Sequence, residues 1–446
     1  MADNRCWFLV ADCRNDQYSA PVILSSVLCI LLSTIQRLDN DKTGEILMLN
    51  DRQMERYADV LWWGLCTART SPFKKDDIVL IRYHRPAIRL AEIVYARLLA
   101  GGYHPVQRMR PTTMMERQFY LLSTNRQLVF LPPGEKELMS RLNGSIFLYA
   151  PESITHLSDI DPGKIGKAAV AQKDLRDILN RREACGTFSW TLCVYPTAEL
   201  AGQAGLPLDD YTRQIISACF LNKTAPVGEW QRVYGNAQSI KKWLNSLNVE
   251  YFHVESRNID LEVTPGAKRQ WIGISGRNIP SFEIFLSPDW RGIRGKYYAD
   301  QPSYRSGNRV EGIRLEFKNG RATVIGADVG EDFVNKQLKI DKGADKLGEF
   351  SLTDKRFSRI DKFMANTLYD ENYGGKNGNC HIALGSSYSN TYAGDSKKLT
   401  RGRKRDLGFN ESALHWDLVN TEKKRVTAHL KSGETITIYE NGCFVK

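Results

Sequence analysis

The spacing of apolar residues changes near the middle of the chain, and the change predicts two kinds of sheet. In the first half, short continuous apolar runs at 77–83, 144–149 and 190–195 alternate with segments of helical spacing. Continuous apolar strands between helices are typical of a parallel sheet covered on both faces, whereas exposed sheets alternate apolar and polar residues. We therefore predict an α/β N-terminal domain with a mostly parallel sheet.

Several helices and a further strand are predicted within this half. After Asp51, which can cap a helix, apolar side chains recur three and four residues apart. A second helix begins near Pro86 and ends at the two glycines at 101–102. A basic helix is predicted near residues 165–182, and an apolar run at 128–131 is predicted as another strand.

The second half has the patterning of an antiparallel sheet. A helix at about 226–247 leads out of the first domain, and Asn319-Gly320 between two β-rich runs indicates a two-residue hairpin. We predict a C-terminal α+β domain rich in antiparallel strands. Its further predicted elements are strands at 259–263, 270–274, 282–286 and 414–419, a helix at 331–340, and a terminal meander at 425–444.

Residues 1–47 do not share this patterning. Their mostly apolar run, 18–35, is at the short edge of a membrane span and follows Asp12, Arg14 and Asp16 rather than a basic segment. We interpret 1–47 as a poorly ordered or non-native N-terminal extension, with Met48 as a plausible start, although a signal anchor stays open as the alternative. The domains are then 1–47, 48–225 and 226–446.

Candidate chemistry concentrates late in the chain. Seven histidines occur in the 446 residues, and two of them, His381 and His415, stand among carboxylates in the stretch that ends at Asp417. His415 and Asp417 lie two apart in a strand-like run, and residues i and i+2 of a strand point to the same face. Imidazole and carboxylate together are preferred ligands of divalent metals, so these residues indicate a metal-dependent hydrolase.

Other common active sites are excluded by the sequence. It contains no HExxH, no GxSxG and no GxGxxG, and Gly374-Gly375-Lys376 lacks the frame of a phosphate-binding loop. A helix-borne zinc protease, an α/β-hydrolase and a dinucleotide-binding enzyme are therefore not expected.

Charge and cysteine content add two expectations. The formal charge of +11 would allow nucleic-acid binding, but no DNA- or RNA-binding motif is present, so we expect no nucleic-acid partner and no stable membrane association. The nine cysteines include no CxxC pair and favour reduced thiols in a cytoplasmic protein.

The motifs around the candidate residues resemble a known family. Five motifs are similar to those of the aminopeptidase T and aminopeptidase S family of metallopeptidases; along the chain they are NIPSFEIFLSP, LGEFSL, NTLYDEN, CHIALGSSY and HWDL. The resemblance extends from about Asn50 to the C-terminus. It implies an α/β N-terminal domain, a C-terminal domain with two divalent metal ions (zinc, cobalt or manganese), and a homodimer.

The resemblance also implies roles for individual residues. It implies a catalytic tyrosine, Tyr388, and a carboxylate, Glu349, that both binds metal and shuttles a proton. The implied metal ligands are Glu283, Glu349, Glu371, His381, His415 and Asp417. The implied reaction is hydrolysis of the N-terminal peptide bond of unblocked peptides by a water bound at the metals.

Two positions depart from the family pattern. The loop between Glu371 and His381 is longer than the compact form typical of the family. The family's ligand role therefore carries over to Glu371 less directly than to the other positions. Phe282 stands where a small residue is usual, and we expect it to narrow the site beside Glu283. The alternative to an active enzyme is a catalytically inactive member that binds metal or peptide.

Overall fold

The computed structural model describes residues 48–305, 307–395 and 398–446. The expectation for residues 1–47 therefore lies outside the described residues. Within the described ranges, no helix is both long and apolar enough to cross a membrane.

The helices and strands are numbered here along the chain. The helices are α1 Asp51–Thr67, α2 Ile88–Ala100, α3 Thr113–Leu122, α4 Asn125–Leu128, α5 Glu135–Arg141, α6 Pro162–Ala171, α7 Lys173–Ala184, α8 Ala198–Gln203, α9 Leu208–Ala218, α10 Pro226–Ser246, α11 Glu331–Gln337, α12 Thr367–Asp370 and α13 Arg401–Asp406. The strands are β1 Ile78–Tyr83, β2 His104–Met109, β3 Gly144–Tyr149, β4 Ser189–Val194, β5 Val249–Glu255, β6 Asp260–Val263, β7 Asn278–Ile279, β8 Glu283–Leu286, β9 Arg294–Ala299, β10 Ser303–Arg305, β11 Asn308–Val310, β12 Ile313–Lys318, β13 Arg321–Gly326, β14 Leu347–Thr353, β15 Asn379–Gly385, β16 His415–Asn420, β17 Arg425–Leu430, β18 Thr435–Glu440 and β19 Cys443–Phe444.

The first half forms the predicted parallel sheet, with strand order β2-β1-β3-β4-β7. Its two faces are covered by different helices. Val79 and Ile81 of β1 pack into the large core with α1 and α2, whereas Leu80 packs with Met139 and Leu175 of α5 and α7. This double cover explains why the strands are continuously apolar, and it confirms the predicted α/β class.

Helix α1 illustrates how the sequence forms this layer. Asn50 caps the helix: its Oδ1 accepts a hydrogen bond from the backbone N–H of Gln53, whose side chain accepts one from the backbone N–H of Asn50. Tyr57, Leu61 and Leu65 then recur at helical spacing and are all buried. The cap is one residue earlier than the predicted Asp51.

One strand predicted in this half is wrong and another was missed. Residues 125–128 form α4, because Thr124 caps a helical turn by accepting the backbone N–H of Gln127, and 128–131 form no strand. The sheet instead gains β2, a half-exposed edge strand whose mixed polar sequence lacks an apolar run. The predicted basic helix is two helices, α6 and α7, that meet at Gln172.

The second half is antiparallel, as predicted. One sheet has eight strands in the order β13-β12-β9-β6-β5-β17-β18-β19, and another has four in the order β16-β15-β14-β8. Asn319 and Gly320 form the predicted hairpin between β12 and β13. The short strand β7 joins the parallel sheet beside β4, while the division of the chain at residues 225 and 226 stays a prediction.

The predicted strand at 270–274 is wrong. Only Ile272 pairs, in an isolated antiparallel bridge with Phe285. Gly273 and Ile274 follow with φ values of 138° and 48°, which lie in the left-handed region and end the extended run. A Cβ on Gly273 would lie 2.0 Å from the carbonyl oxygen of Glu283, so only glycine allows this close approach to β8.

The core of the first layer provides a stability test. Leu61→Ala should lower the free energy of unfolding by about 2–5 kcal/mol, because the side chain is fully buried (0% exposed) and its removal leaves a cavity. Leu99→Ala on α2 is the matched control: its side chain is 51% exposed, and we expect a change within about 0.5 kcal/mol. Chemical denaturation of both variants measures the difference; equal losses would contradict this packing.

Candidate metal centre

The four-stranded sheet places the predicted donors on one of its faces. In its register, Ser351 of β14 lies opposite His381 of β15, and Ala383 of β15 lies between Glu349 of β14 and Asp417 of β16. Directly opposed residues share a face. The small side chains of Ser351 and Ala383 leave room above the sheet for the larger donor groups beside them.

The opposite face of this sheet is apolar. Phe350, Ile382 and Leu418 alternate with the donor residues, and all are buried in the main core. Because side chains of a strand alternate between faces, burying this apolar face directs the donors to the other face. The local packing of the sheet therefore fixes where the charged side chains point.

Glu349 lies between the two histidines. Its Oε1 is 3.3 Å from Nε2 of His381, and its Oε2 is 3.5 Å from Nε2 of His415. Glu283 approaches Nε2 of His381 at 3.4 Å, and Asp417 approaches Nε2 of His415 at 3.2 Å. One carboxylate thus faces two imidazoles, each of which has a second carboxylate beside it.

The far nitrogen of each imidazole is held by the backbone. Nδ1 of His381 lies 3.2 Å from the carbonyl oxygen of Glu371, and Nδ1 of His415 lies 3.0 Å from that of Ser386. A carbonyl only accepts, so each Nδ1 carries the proton and donates it. Nε2 of each ring is therefore the nitrogen left for a metal, which is the arrangement typical of histidine ligands.

Glu371 joins the cluster despite the longer loop that follows it. The residue is buried just after α12, and its carboxylate lies with His381 and Asp417 in a group whose donor atoms are within 4.8 Å of one another. Its carbonyl also accepts a hydrogen bond from Asn379 Nδ2 at 3.0 Å. The backbone of Glu371 is thereby anchored to β15, next to His381.

Phe282 does not narrow the site, contrary to expectation. Its ring is fully buried and stacks on Trp230 with ring centroids 5.1 Å apart, and it meets Phe220 edge-on. It therefore points into the core, away from the cluster to which Glu283 contributes. An aromatic residue at this position packs α10 against β8 instead of filling the site.

Burial and mutual repulsion perturb the carboxylates. Burial raises the pKa of Glu283 to about 8, and the negative charge of Glu349 adds to this effect. The pKa of Glu371 is raised well above its ordinary value by burial and by Glu283 and Asp417. Asp417 is the exception: burial opposes its ionisation, but His415 outweighs it and holds the pKa of Asp417 below its usual range.

The histidines are perturbed in the opposite sense. Burial alone would lower the pKa of His381, but its hydrogen bond to Glu349 and the charge of Glu283 outweigh burial and raise that pKa to about 9. In the same way, Asp417 and Glu349 overcome burial and raise the pKa of His415 to about 10. Both imidazoles are therefore protonated on both nitrogens, and positively charged, at neutral pH when no metal is bound.

The residues present fit divalent cations. The described residues include three groups of three donors, and the donor atoms within each group lie within 4.8 Å of one another. Glu349, His381 and Asp417 each belong to two of these groups. Oxygen and imidazole donors in this mixture suit zinc, cobalt or manganese. Once these groups have lost their protons, four carboxylates beside two neutral imidazoles carry negative charge that cations would neutralise. That these six residues are the ligands stays a prediction.

Tyr388 stands at the mouth of the cluster. Its ring lies edge-on to His415 with centroids 4.8 Å apart, and the side chain is 42% exposed. Partial desolvation and then the charge of Glu349 raise the pKa of its hydroxyl above the ordinary value. The hydroxyl therefore keeps its proton and can act as a hydrogen-bond donor.

The cluster opens into a cavity of about 390 Å³ whose other walls the sequence did not reveal. Trp190 of β4 and Tyr234, Gln238 and Lys241 of α10 line it. Lys241 donates to the carbonyl oxygen of Gly273 at 2.7 Å, and burial lowers its pKa to about 8. These residues come from segments far from the donors in sequence, so no spacing could have indicated them.

A polar cavity with clustered carboxylates and imidazoles defines a candidate metalloenzyme site, and the comparisons with known proteins agree. Residues 50–444 match the family model described as thermophilic metalloprotease (M29). The chain belongs to this family, which confirms the resemblance read from its motifs.

Individual relatives are similar over part of their length. Aminopeptidase AmpS of Bacillus subtilis (strain 168) is 29% identical over 241 residues, which is 51% of this chain and 57% of that protein. Aminopeptidase T of Thermus aquaticus is 27% identical over 308 residues, or 65% of this chain and 73% of that protein.

A solved structure shows the same fold. Wild-type AmpT from Thermus thermophilus superposes with a TM-score of 0.72 and 22% sequence identity. The superposition covers 89% of this chain and 99% of that one, so both the parallel and the antiparallel parts are shared.

The perturbed pKa values give a prediction for metal binding. At pH 7 the pKa values of Glu283, His381 and His415 (about 8, 9 and 10) leave all three protonated without metal. Ligands must lose these protons, so metal binding should release protons, and affinity should rise from pH 7 to pH 10.

Isothermal titration calorimetry of the chelated protein with Zn²⁺, in two buffers of different ionisation enthalpy, counts the released protons. Binding that releases none, or whose affinity is the same at pH 7 and pH 9, would contradict the electrostatics of this cluster.

Proposed function

We propose that this chain is an aminopeptidase that uses two divalent metal ions to hydrolyse the N-terminal peptide bond of unblocked peptides. The position of Glu349, with one carboxylate oxygen towards His381 and the other towards His415, carries the proposal. A carboxylate in this position can serve two cations at once. Membership of a metalloprotease family supports the reaction class, and the printed names of the relatives support an aminopeptidase.

In this proposal the six donors hold two cations. Glu283, Glu349 and His381 form one group of donors, and Glu349, His415 and Asp417 form a second. Glu371 forms a third group with His381 and Asp417. When bound, a pair of such cations lowers the pKa of water towards neutrality and polarises a carbonyl group. Zinc, cobalt and manganese all suit the donor set.

Two side chains of the protein would act on the substrate. Glu349 would accept a proton from the attacking water and pass it to the leaving amine, as a positioned carboxylate does in general acid–base catalysis. The hydroxyl of Tyr388, which keeps its proton, would donate a hydrogen bond to the oxygen that becomes negative in the transition state.

The acidic cluster also supports cleavage from the amino end. When ionised, Glu283 and Glu371, which line the cavity, would attract the free ammonium group of a peptide. The cavity volume of about 390 Å³ favours a short segment of chain over a folded protein. A blocked amino terminus would lose the attraction and should be a poor substrate.

We further propose a cytoplasmic homodimer. The described cysteines 66, 185, 193, 219, 380 and 443 are free thiols, which suits a reducing compartment. Large apolar side chains are exposed at Met114 and Met115 of α3 and at Phe130, and a second copy of the chain could cover such surface. A catalytically inactive binding protein is the alternative, and the complete donor set argues against it.

Replacing the shared carboxylate tests the enzyme. Glu349→Gln should lower kcat for L-leucine p-nitroanilide by about 100-fold to 10,000-fold, because the amide accepts no proton and binds metal weakly. The matched control, Glu331→Gln on the exposed first turn of α11, should leave turnover unchanged. Circular dichroism confirms that both variants fold. Near-normal turnover of Glu349→Gln would remove the role proposed here, and equal hydrolysis of the N-acetylated substrate would contradict an aminopeptidase.

Metal stoichiometry tests the two-cation site separately from any substrate. The chelated full chain should bind two equivalents of Co²⁺, and Glu371→Gln should lose tight binding of at least one, because the carboxylate belongs to only one donor group. The visible spectrum of Co²⁺ reports both events, and Glu331→Gln again serves as the control. One equivalent in the unaltered protein would contradict the two-cation site.

A further inference from the structure

A second cavity lies in the first half of the chain. Its volume is about 870 Å³, and it opens between one face of the parallel sheet and the helices that cover that face. Leu80 and Ser145 contribute from the sheet, and Met139 and Leu175 from helices α5 and α7. The volume lies within the range of pockets that bind small organic molecules.

The cavity combines apolar walls with a basic edge. Leu142, Leu175 and Phe188 are buried in the small core that forms its floor. Arg82 and Arg108 line it near the carboxyl ends of β1 and β2, where they lie directly opposite each other. Ligands of parallel α/β sheets bind at the carboxyl ends of the strands.

Arg82 differs from the other arginines at this edge. Arg108 pairs with Glu135 at 2.8 Å, and Arg110 lies 3.7 Å from Glu116. Among the described residues no carboxylate lies within ion-pair distance of Arg82, whose guanidinium instead lies 5.2 Å from the ring centroid of Phe147. Arg82 is itself exposed to solvent, so its guanidinium is accessible to a ligand at this edge of the cavity.

Neighbouring protein atoms partly desolvate the guanidinium of Arg82, although the residue is exposed to solvent. Burial lowers the pKa of Arg82, and the neighbouring charge of Arg110 lowers it further. A negatively charged group in the cavity would relieve both effects, because it would compensate the desolvation and offset the repulsion.

Ser145 provides a second polar group on the same face. Its Oγ is buried and has no hydrogen-bond partner. In the register of β1 and β3, Ser145 lies opposite Leu80, two residues before Arg82, so both side chains project from one face of the sheet. A buried hydroxyl without a partner is uncommon in folded proteins and is satisfied when a ligand or water binds beside it.

The arrangement of charges around the cavity favours a ligand with one negative charge. Of the four arginines that line it, Arg108 and Arg110 lie beside Glu135 and Glu116. Arg176 donates to the carbonyl oxygen of Ala169 at 3.0 Å, and Glu183 pairs with Arg277, which does not line the cavity. Among the described residues, the one unpaired guanidinium on the sheet face of Ser145 is that of Arg82, and a monocarboxylate matches its single charge.

We propose that this cavity is a second binding site, specific for an organic monocarboxylate with an aromatic or aliphatic body. The carboxylate binds the guanidinium of Arg82 and the hydroxyl of Ser145, and the apolar body packs on Leu175 and Phe188. The site does not share the donors of the metal centre, so it goes beyond the proposed peptidase activity and does not depend on it.

Calorimetry of the full chain with 4-phenylbutyrate tests the site. We expect one molecule per chain, and at least roughly tenfold weaker binding of 4-phenylbutan-1-ol, which has the same body without the charge. Phenyl phosphate should also bind more weakly than the carboxylate. Absence of binding, or equal binding of the alcohol, overturns the proposal, and tighter binding of phenyl phosphate overturns the monocarboxylate class.

Amino-acid substitutions test whether the ligand binds in this cavity. Arg82→Met keeps the length of the side chain and should weaken 4-phenylbutyrate binding at least roughly tenfold, because a charge-assisted hydrogen bond is lost. The control, Arg181→Met, removes an equal charge from α7 at a residue that does not line the cavity and should leave the affinity unchanged. Equal affinity of Arg82→Met and Arg181→Met contradicts the proposed contact.

A cavity-filling variant tests the location of the ligand without relying on the folding of Arg82→Met. Ala168→Trp on α6 adds a large side chain to the half-buried lining and should abolish binding while the thermal midpoint of unfolding stays close to that of the unaltered chain. Retained binding in a folded Ala168→Trp variant contradicts the location.

Discussion

The structure depends on one electrostatic constraint, which is the crowding of four carboxylates around two imidazoles in a buried place. Burial alone disfavours every one of these charges, and the carboxylates also repel each other. The two histidines offset part of this by taking up protons, which is why their pKa values rise although burial acts in the other direction. A divalent cation relieves the same repulsion more completely, so the fold and the metal reinforce each other.

The antiparallel sheet holds the crowded charged side chains on one of its faces. On the donor strands, large apolar residues such as Phe350, Ile382 and Leu418 stand next to the donors and point to the opposite face, so the packing of that face fixes the direction of every donor except Glu371. Ser351 and Ala383, directly opposite the donors, keep the other face open. A large residue at either position would fill the space that the donor groups require.

The sequence predicted much of the fold and the candidate residues, because period and local context carry that information. Continuous apolar strands indicated the parallel sheet, and Asn319-Gly320 indicated a hairpin of the antiparallel sheet. The missed strand β2 has a mixed polar edge sequence, and the strand predicted at 270–274 ends at left-handed residues that periodicity does not reveal. The cavity walls contributed by Trp190 and Lys241 depended on tertiary packing, as did the direction of Phe282.

Trp190 lines both cavities, the one above the metal cluster and the one beside Arg82. On the metal side, Arg277 is another wall residue, and its ion-pair partner Glu183 lines the other cavity. The two spaces therefore share a partition made of one indole and one ion pair. Any ligand that shifts this partition would change the affinity at the other space, and thermodynamic reciprocity requires the factor to be the same in both directions.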